Sequence, residues 1–325
     1  MKAKHLLFLF ALFCFFFAAC GKDDSYDDSS LFYLDTFPDI DLFASNGMDN
    51  QSAAAYGDYL VLIPTGRSAI HLYNLRTKTF LCTYKMRAGT GKDAWGYDLY
   101  HSNQATFGAD YYSNEDYFPL LYISQRAGSD KRCFTEVYRL IPQKGIDESD
   151  FSTLDAQLVQ IIFFPVLSHD NSLGNVNSVI DSHNQWIYTY SRNNNSGDDN
   201  AGDCKISQFH IPDIKKDTVT LEDKDIIDSF MLGCKAINMQ GGSIHNGLLY
   251  IGQGYKSAGY IFLNIVDLKK RRLKERIDLL DHGISWEPEG CFIYDGNLMI
   301  ASGADIWEFS FPRTRERNRR RILNP

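Results

Sequence analysis

Five polar residues recur at equivalent places in this chain, each at the start of a short apolar segment: Gln51, Gln104, Asn177, Gln240 and Glu289. Side-chain amides donate and accept hydrogen bonds, and a carboxylate adds further acceptor atoms. If folding brings the five together, they form a ring that can bind a hydroxyl-rich ligand or offer oxygen atoms to a hard cation such as calcium. The alternative is a ring that hydrogen-bonds only its neighbouring strands and water.

Three more residues with useful chemistry adjoin this set. His101 lies just before the second member, and Trp286 and Glu287 lie just before the last. An exposed indole can stack on a sugar. Glu287 and Glu289 are two residues apart, so on one strand they face the same side, where they can share a metal but cannot straddle a glycosidic bond.

Common catalytic motifs are absent from the sequence. It contains no Gly-x-Ser-x-Gly, no His-Glu-x-x-His and no phosphate-binding glycine loop. No catalytic constellation is recognised, so the residues favour ligand binding and leave enzyme activity open.

The segments that must position these residues have the pattern of β-strands. They are short, rich in β-branched and aromatic residues, and bounded by Gly, Asn or Asp. Asn246-Gly247 and Asp295-Gly296 predict tight hairpins because both residues of each pair tolerate positive φ. After each opening strand, we predict second strands at 59–63, 120–124, 186–191, 248–252 and 297–301, and third strands at 69–75, 134–141, 205–211, 260–268 and 305–311. Fourth strands are predicted at 79–85, 157–164, 226–231 and 273–279.

These five copies predict an all-β fold, a single β-propeller of five four-stranded blades spanning 31–312. The fifth copy lacks a fourth strand, and 31–37 is a strand without a blade, so the N-terminal strand is expected to close the ring. The first residue of each inner strand then points to the mouth of the central channel. Six or seven blades, or a β-sandwich, are the alternatives, because the interval from 104 to 177 has room for extra strands.

The repeat pattern resembles that of TolB-like and gluconolactonase-like propellers. Trp286-Glu-Pro-Glu-Gly290 is similar to the Glu-Gly that opens an innermost strand in the gluconolactonase-like group, where a glutamate helps to hold a divalent cation. The resemblance implies that Glu289 is a metal ligand, with calcium the expected metal. It makes a metal-dependent hydrolase or lactonase centred on Glu289 the alternative to a ligand-binding protein.

The N-terminus has the features of an export signal. Lys2 and Lys4 precede an apolar run at 6–17, which is too short to span a hydrocarbon core of about 30 Å. Small residues follow the run, as signal-peptide cleavage requires, so we predict a signal peptide at 1–19. The polar, acidic stretch after it predicts a disordered tether at 20–30.

Residues around the cleavage site carry a second resemblance. Phe17-Ala18-Ala19-Cys20 resembles the lipobox of bacterial lipoproteins, with Phe17 where that family usually has Leu. This implies a lipid on Cys20 and an outer-membrane lipoprotein on the periplasmic or the cell-surface face. Lys22, Asp23 and Asp24 resemble the export signal of Bacteroidota surface lipoproteins, and the alternative for them is a solvated acidic tether.

Charge and cysteine spacing limit the partners. Removal of 1–19 takes away two lysines and no acid, so the net charge changes from −8 to −10, and nucleic acid is not an expected partner. The arginine-rich tail at 313–325 is either solvated or contacts anionic lipid headgroups or phosphorylated glycans. We expect a monomer that meets the membrane through its lipid and binds a glycan, a peptide or a partner envelope protein.

Isolated buried thiols are expected, since no CxxC pair occurs among Cys82, Cys133, Cys204, Cys234 and Cys291.

Overall fold

Short apolar segments separated by turns pair here into antiparallel hairpins. The structure, a computed structural model, describes residues 32–36, 50–64, 69–86, 102–125, 134–142, 144–145, 147–153, 155–165, 176–192, 202–303 and 305–311. In the predicted tight turns, Asn246 and Gly247 have φ of 51° and 76°, and Asp295 and Gly296 have φ of 47° and 75°. Both central residues of each turn have positive φ, as a two-residue hairpin requires.

The strands form five sheets in chain order. Blade 1 contains β2 to β5, at Asn50–Tyr56, Tyr59–Pro64, Ala69–Asn74 and Thr79–Lys85. Blade 2 contains β6 to β9, at Ser102–Phe107, Leu121–Gln125, Phe134–Ile141 and Asp155–Phe163. Blade 3 contains β10, β11, β12 and β14, at Asn177–Asp181, Trp186–Arg192, Asp203–His210 and Asp228–Lys235. Blade 4 contains β15 to β18, at Met239–His245, Leu248–Tyr255, Tyr260–Asp267 and Arg272–Asp278.

The last blade combines both ends of the described chain. Its strands β19 to β21 lie at Pro288–Tyr294, Asn297–Ser302 and Asp305–Ser310, and its outer strand is β1 at Phe32–Thr36, which pairs antiparallel with β21. The predicted five-bladed propeller and its closure by the N-terminal strand are therefore confirmed.

The inner strands of the five blades surround the channel. Each contacts the inner strands of both neighbouring blades, in the cyclic order β2, β6, β10, β15 and β19. Apolar side chains fill the spaces between blades, as between blades 1 and 2, where Tyr84, Phe118 and Tyr138 are buried. We call the end at which the inner strands begin the upper end, and the opposite end the lower end.

Blade 2 has an additional strand that the sequence did not predict. Strand β13, Thr218–Thr220, comes from the chain between β12 and β14 of blade 3 and pairs parallel with β9. Gln160, buried on β9, secures this connection because its Nε2 donates to the carbonyls of Asp213 (2.9 Å) and Lys216 (2.8 Å). A three-residue strand is too short for hydrophobic periodicity to indicate it.

The expectation of isolated buried thiols is confirmed wherever a described residue tests it. Cys82, Cys204, Cys234 and Cys291 are buried and free, while Cys133 lies outside the described residues. Burial raises the pKa of the Cys291 thiol to about 12, so it stays protonated at neutral pH. In the described part of the chain, no helix has the length and apolar character needed to cross a membrane.

Candidate functional site

Four of the five predicted ring residues meet at the upper end of the channel, and we call Gln51, Asn177, Gln240 and Glu289, with the adjoining Glu287, the upper mouth. Gln51 and Glu289 are buried, and Gln51 Nε2 lies 3.3 Å from Glu289 Oε1, to which it donates. This contact joins blade 1 to blade 5. The Glu289 carboxylate is therefore held in place by an amide of the neighbouring blade.

Glu287 makes the corresponding contact between blades 4 and 5. Its Oε2 accepts a hydrogen bond from Gln240 Nε2 at 3.2 Å, and Glu287 is only partly buried. The sequence pattern places Glu287 and Glu289 on one strand, but β19 begins at Pro288. Glu289 N donates to Glu287 O at 3.0 Å, and the pairing with β20 shifts between Pro288 and Gly290. Strict alternation of side chains therefore does not extend to Glu287, and each carboxylate takes a different amide partner.

Asn177 contributes an acceptor that the surrounding protein does not use. The residue is 1% exposed, and its Nδ2 donates to the carbonyls of Met239 (3.1 Å) and Gln240 (3.2 Å). Within the described structure, its buried Oδ1 has no hydrogen-bond partner, nor do Gln125 Oε1 and Asn50 Nδ2 at the same end. A buried polar atom without a partner costs about 1–3 kcal/mol, so such atoms indicate a place for water or a ligand.

Gln104 has a different role from the other predicted ring residues. It is fully buried and reaches across the channel from blade 2 to blade 4, where its Nε2 donates to Gly242 O (2.5 Å) and its Oε1 accepts from Gly242 N (2.6 Å). A Cβ at Gly242 would lie 2.9 Å from the Tyr190 hydroxyl and 3.0 Å from Tyr250 O, so a side chain at this position would crowd both tyrosines. Gln104 therefore crosses the channel below the mouth, with both polar atoms bonded to backbone.

Trp286 presents an aromatic surface beside the mouth. It is 57% exposed, although its carbonyl accepts a hydrogen bond from Ser302 Oγ at 2.9 Å. A Cβ at Gly303, whose φ is +60°, would lie 3.1 Å from the indole, so the ring lies close against this turn. His101, Cys20, Lys22, Asp23 and Asp24 lie outside the described residues.

Hydroxyl pairs between blades form part of the same polar layer, and the sequence reasoning missed them. Ser52 Oγ lies 3.1 Å from Ser102 Oγ, and Ser178 Oγ lies 2.8 Å from Ser124 Oγ and 2.7 Å from Thr135 Oγ1. The available signal was the serine that directly follows Gln51 and Asn177 in two of the aligned openings.

The upper mouth therefore combines two carboxylates with three amides and offers mainly acceptor oxygens. Within the described part of the chain, no group of three or more His, Cys, Asp or Glu side chains could hold a metal ion. Any cation at this mouth would depend on amide oxygens such as Asn177 Oδ1 in addition to carboxylates. The arrangement suits hydroxyl donors at least as well.

A cavity of about 200 Å³ lies in the lower half of the channel and is lined by residues from all five inner strands. Its polar lining includes Thr106, Ser182, Ser243 and His245. Burial lowers the pKa of His245, and its Nε2 lies 2.7 Å from Asn246 Nδ2. A neutral imidazole can accept this hydrogen bond from the amide, whereas a protonated one cannot.

Comparison with known proteins gives no family for this chain. No protein-family model matches it, and no curated protein matches it. Among solved structures, the glutaminyl cyclase of Myxococcus xanthus superposes with a TM-score of 0.44 and 10% identity, over 81% of this chain and 90% of that one. A luciferin-regenerating enzyme superposes with a TM-score of 0.38 and 10% identity, over 80% and 71%. Both scores are below 0.5, so the assignment as a β-propeller depends on the strand topology of the chain itself.

Proposed function

We propose that this chain is a lipid-anchored envelope protein whose propeller binds a hydroxyl-rich ligand, such as a glycan, at the upper mouth. The observation that carries the proposal is Trp286, a residue that is 57% exposed and directly precedes the half-buried Glu287. An aromatic face next to acceptor oxygens matches the two surfaces of a sugar ring, whose C–H face stacks and whose hydroxyls donate.

Polar atoms deeper in the mouth support the same ligand class. Among the described residues, Asn177 Oδ1 is a buried acceptor without a partner, and one side-chain hydrogen bond links Gln240 to Glu287. A ligand hydroxyl that donates to Asn177 Oδ1 would remove the cost of that unpaired acceptor. The carboxylates also disfavour anionic ligands at this end.

A binding assay with a matched aromatic control tests the proposal. Isothermal titration against a panel of neutral glycans should identify a ligand whose affinity falls about tenfold or more in Trp286→Ala, because the stacking surface is lost. Phe80→Ala is the control, since Phe80 is 43% exposed on the outer strand of blade 1. Equal losses in both variants, or none in Trp286→Ala, would contradict the assignment of the site.

A thermal-shift assay tests the alternative, a calcium-dependent hydrolase or lactonase centred on Glu289. A rise in melting temperature with calcium that a chelator reverses and Glu289→Gln abolishes would favour that alternative. Lactone and phosphate-ester substrates would then be tested. A glycan response that does not depend on calcium would favour a binding protein.

The anchor is tested separately from the mouth. Mass spectrometry of the mature N-terminus should find a diacylglyceryl group on Cys20, and Cys20→Ser should move the protein from the membrane fraction to the soluble fraction. Protease treatment of intact cells then distinguishes the two membrane faces. Loss of the protein, with protection after Asp23→Ala and Asp24→Ala, would support the export signal at Lys22 to Asp24.

A further inference from the structure

A second cavity lies at the lower end of the propeller, opposite the upper mouth. It has a volume of about 600 Å³ and lies between blades 2 and 3, and we call it the lower pocket. Its walls come from the β6–β7 connection, the β10–β11 turn and the chain that follows β12. This volume is within the range of about 300–1,000 Å³ that is typical of small-molecule sites.

The wall formed by the β6–β7 connection, residues 108–120, is firmly attached to its blade. Gly108 N donates to Leu120 O, and Leu120 N donates to Asp110 O, both at 2.8 Å. Asp116 is fully buried, and its Oδ1 accepts from Arg139 Nη2 at 2.6 Å. Because these contacts fix the connection without a ligand, the pocket does not have to be ordered on binding.

The lining combines aromatic, apolar and polar groups. Tyr122 packs so closely against the connection that a Cβ at Gly108 would lie 2.7 Å from its ring. The Tyr111 hydroxyl lies 2.6 Å from that of Tyr56, which fixes the ring, and His210 stacks on Trp186 with centroids 5.0 Å apart. Ile211 and Ile214 add apolar surface. The aromatic side chains are therefore held in place by groups outside the pocket.

The charge of the lining has one sign. Two exposed carboxylates, Asp110 and Asp213, belong to it, and no lysine or arginine is among the described residues that line the pocket. Burial raises the pKa of Tyr122, and the charge of Asp110 raises it further. Lys144 Nζ lies 5.3 Å from the centroid of Tyr111 and donates to Asn114 O at 2.9 Å, so one ammonium group of the protein already contacts two residues of this wall.

We propose that the lower pocket binds small alkyl diamines. Two carboxylates match two ammonium groups, and Leu120, Ile211 and Ile214 provide apolar contact for the methylene chain. An anionic ligand would meet two like charges, and a neutral polyol would leave both carboxylates without a counter-charge. This site is independent of the glycan site at the upper mouth.

Titration with a matched ligand series tests the charge requirement. The purified protein is titrated with 1,5-diaminopentane, 1-pentylamine and 1,5-pentanediol, which have the same chain length and two, one and no charges. Affinity should fall about twofold to fivefold for each charge removed, because both carboxylates are exposed to solvent. The absence of saturable diamine binding, or equal affinity for the diol, would overturn the proposal.

Matched variants then locate the binding. Asp110→Asn and Asp213→Asn should each weaken diamine binding about twofold to fivefold. The second substitution keeps a side-chain oxygen for the hydrogen bond that Lys215 N donates to Asp213 Oδ1 at 3.0 Å. Asp305→Asn, on an exposed residue of blade 5, should leave binding unchanged. Ala109→Trp should block the pocket without changing its charge. Unaltered diamine binding in this variant, with an unchanged melting temperature, would place the ligand elsewhere.

The two proposals can fail separately. Trp286→Ala should leave diamine affinity unchanged, and Asp213→Asn should leave glycan affinity unchanged. A diamine affinity that falls in Trp286→Ala would show that the amine binds at the upper mouth and would overturn the assignment to the lower pocket.

Discussion

The ion pair of Asp116 and Arg139 holds the β6–β7 connection against blade 2. Asp116 is fully buried, Arg139 Nε lies 3.0 Å from both of its carboxylate oxygens, and Ser113 N also donates to Oδ2 at 3.0 Å. A buried carboxylate that loses its counter-charge destabilises the folded state by about 3–5 kcal/mol.

Arg139→Met should therefore lower the free energy of unfolding by about 3 kcal/mol or more, measured by urea denaturation. Arg76→Met is the control, because Arg76 pairs with Asp58 at the surface and its side chain is 75% exposed. Exposed pairs contribute about 0.2–1 kcal/mol. Similar losses in the two variants would mean that burial of Asp116 does not determine the effect.

His245 predicts a specific dependence of stability on pH. Burial lowers its folded-state pKa below the usual value of about 6.5, so the unfolded chain takes up the proton first. The stability that the neutral His245 side chain contributes to the folded state is complete above about pH 6.5, and it is lost as the pH falls through the folded-state pKa. If the pKa of a group is lower by one in the folded than in the unfolded chain, the free energy of unfolding differs by about 1.4 kcal/mol across the titration.

His245→Gln should reduce the loss of stability between pH 7 and pH 5, since glutamine does not titrate and can still accept a hydrogen bond from Asn246. Urea denaturation at several pH values measures this difference. Parallel pH profiles for the two proteins would rule out His245 as the source of the dependence.

At the scale of elements, small residues allow the inner strands to approach closely. A Cβ at Gly290 on β19 would overlap Ala53 Cβ on β2 and lie 2.8 Å from Ala53 N. A Cβ at Gly241 on β15 would overlap Glu289 O and lie 2.6 Å from Gly290 Cα. These neighbours are mostly backbone atoms, which cannot move aside as a flexible side chain can.

Gly290→Ala should destabilise the protein by about 3 kcal/mol, because the added methyl group forces blades 1 and 5 apart. Gly247→Ala is the control: its φ is +76°, but a Cβ there has no neighbour within 4 Å. The control should cost about 1 kcal/mol from backbone strain alone. Thermal unfolding measures the stability of both variants. A larger loss of stability in Gly247→Ala than in Gly290→Ala would contradict close packing at the centre of the ring.

At the scale of the whole molecule, closure of the ring depends on five residues far from the rest of their blade in sequence. Strand β1 pairs with β21, as Phe32 opposite Ser310 and Thr36 opposite Trp307. Without β1, the backbone N–H and C=O groups along one side of β21 would lose their partners and the last blade would have three strands.

Deletion of residues 32–36 should therefore lower the melting temperature by about 5 °C or more, and calorimetry should detect it. Deletion of residues 22–30, which lie within the predicted tether at 20–30, is the control and should leave the melting temperature unchanged. If the first deletion also had no effect, the antiparallel pairing of β1 with β21 would not contribute to stability.

Local sequence patterns determined the order of the strands in the five blades, with β13 as the strand they missed. Asn246-Gly247 and Asp295-Gly296 specify hairpins through their own φ preferences, and short runs rich in β-branched and aromatic residues specify strands such as Phe134–Ile141, for which prediction and structure agree. The five aligned openings also placed Gln51, Asn177, Gln240 and Glu289 at one end of the channel. Each of these inferences needs only the periodicity and turn chemistry of a short segment.

Only the tertiary structure decided which groups meet across blades. The reach of Gln104 to Gly242, the amide partners of Glu287 and Glu289, the parallel pairing of β13 with β9 and the lower pocket all join residues distant in sequence. Their geometry depends on strand register and on the angles between blades. Those quantities are set by packing over the whole ring, and a segment read alone contains no information about them.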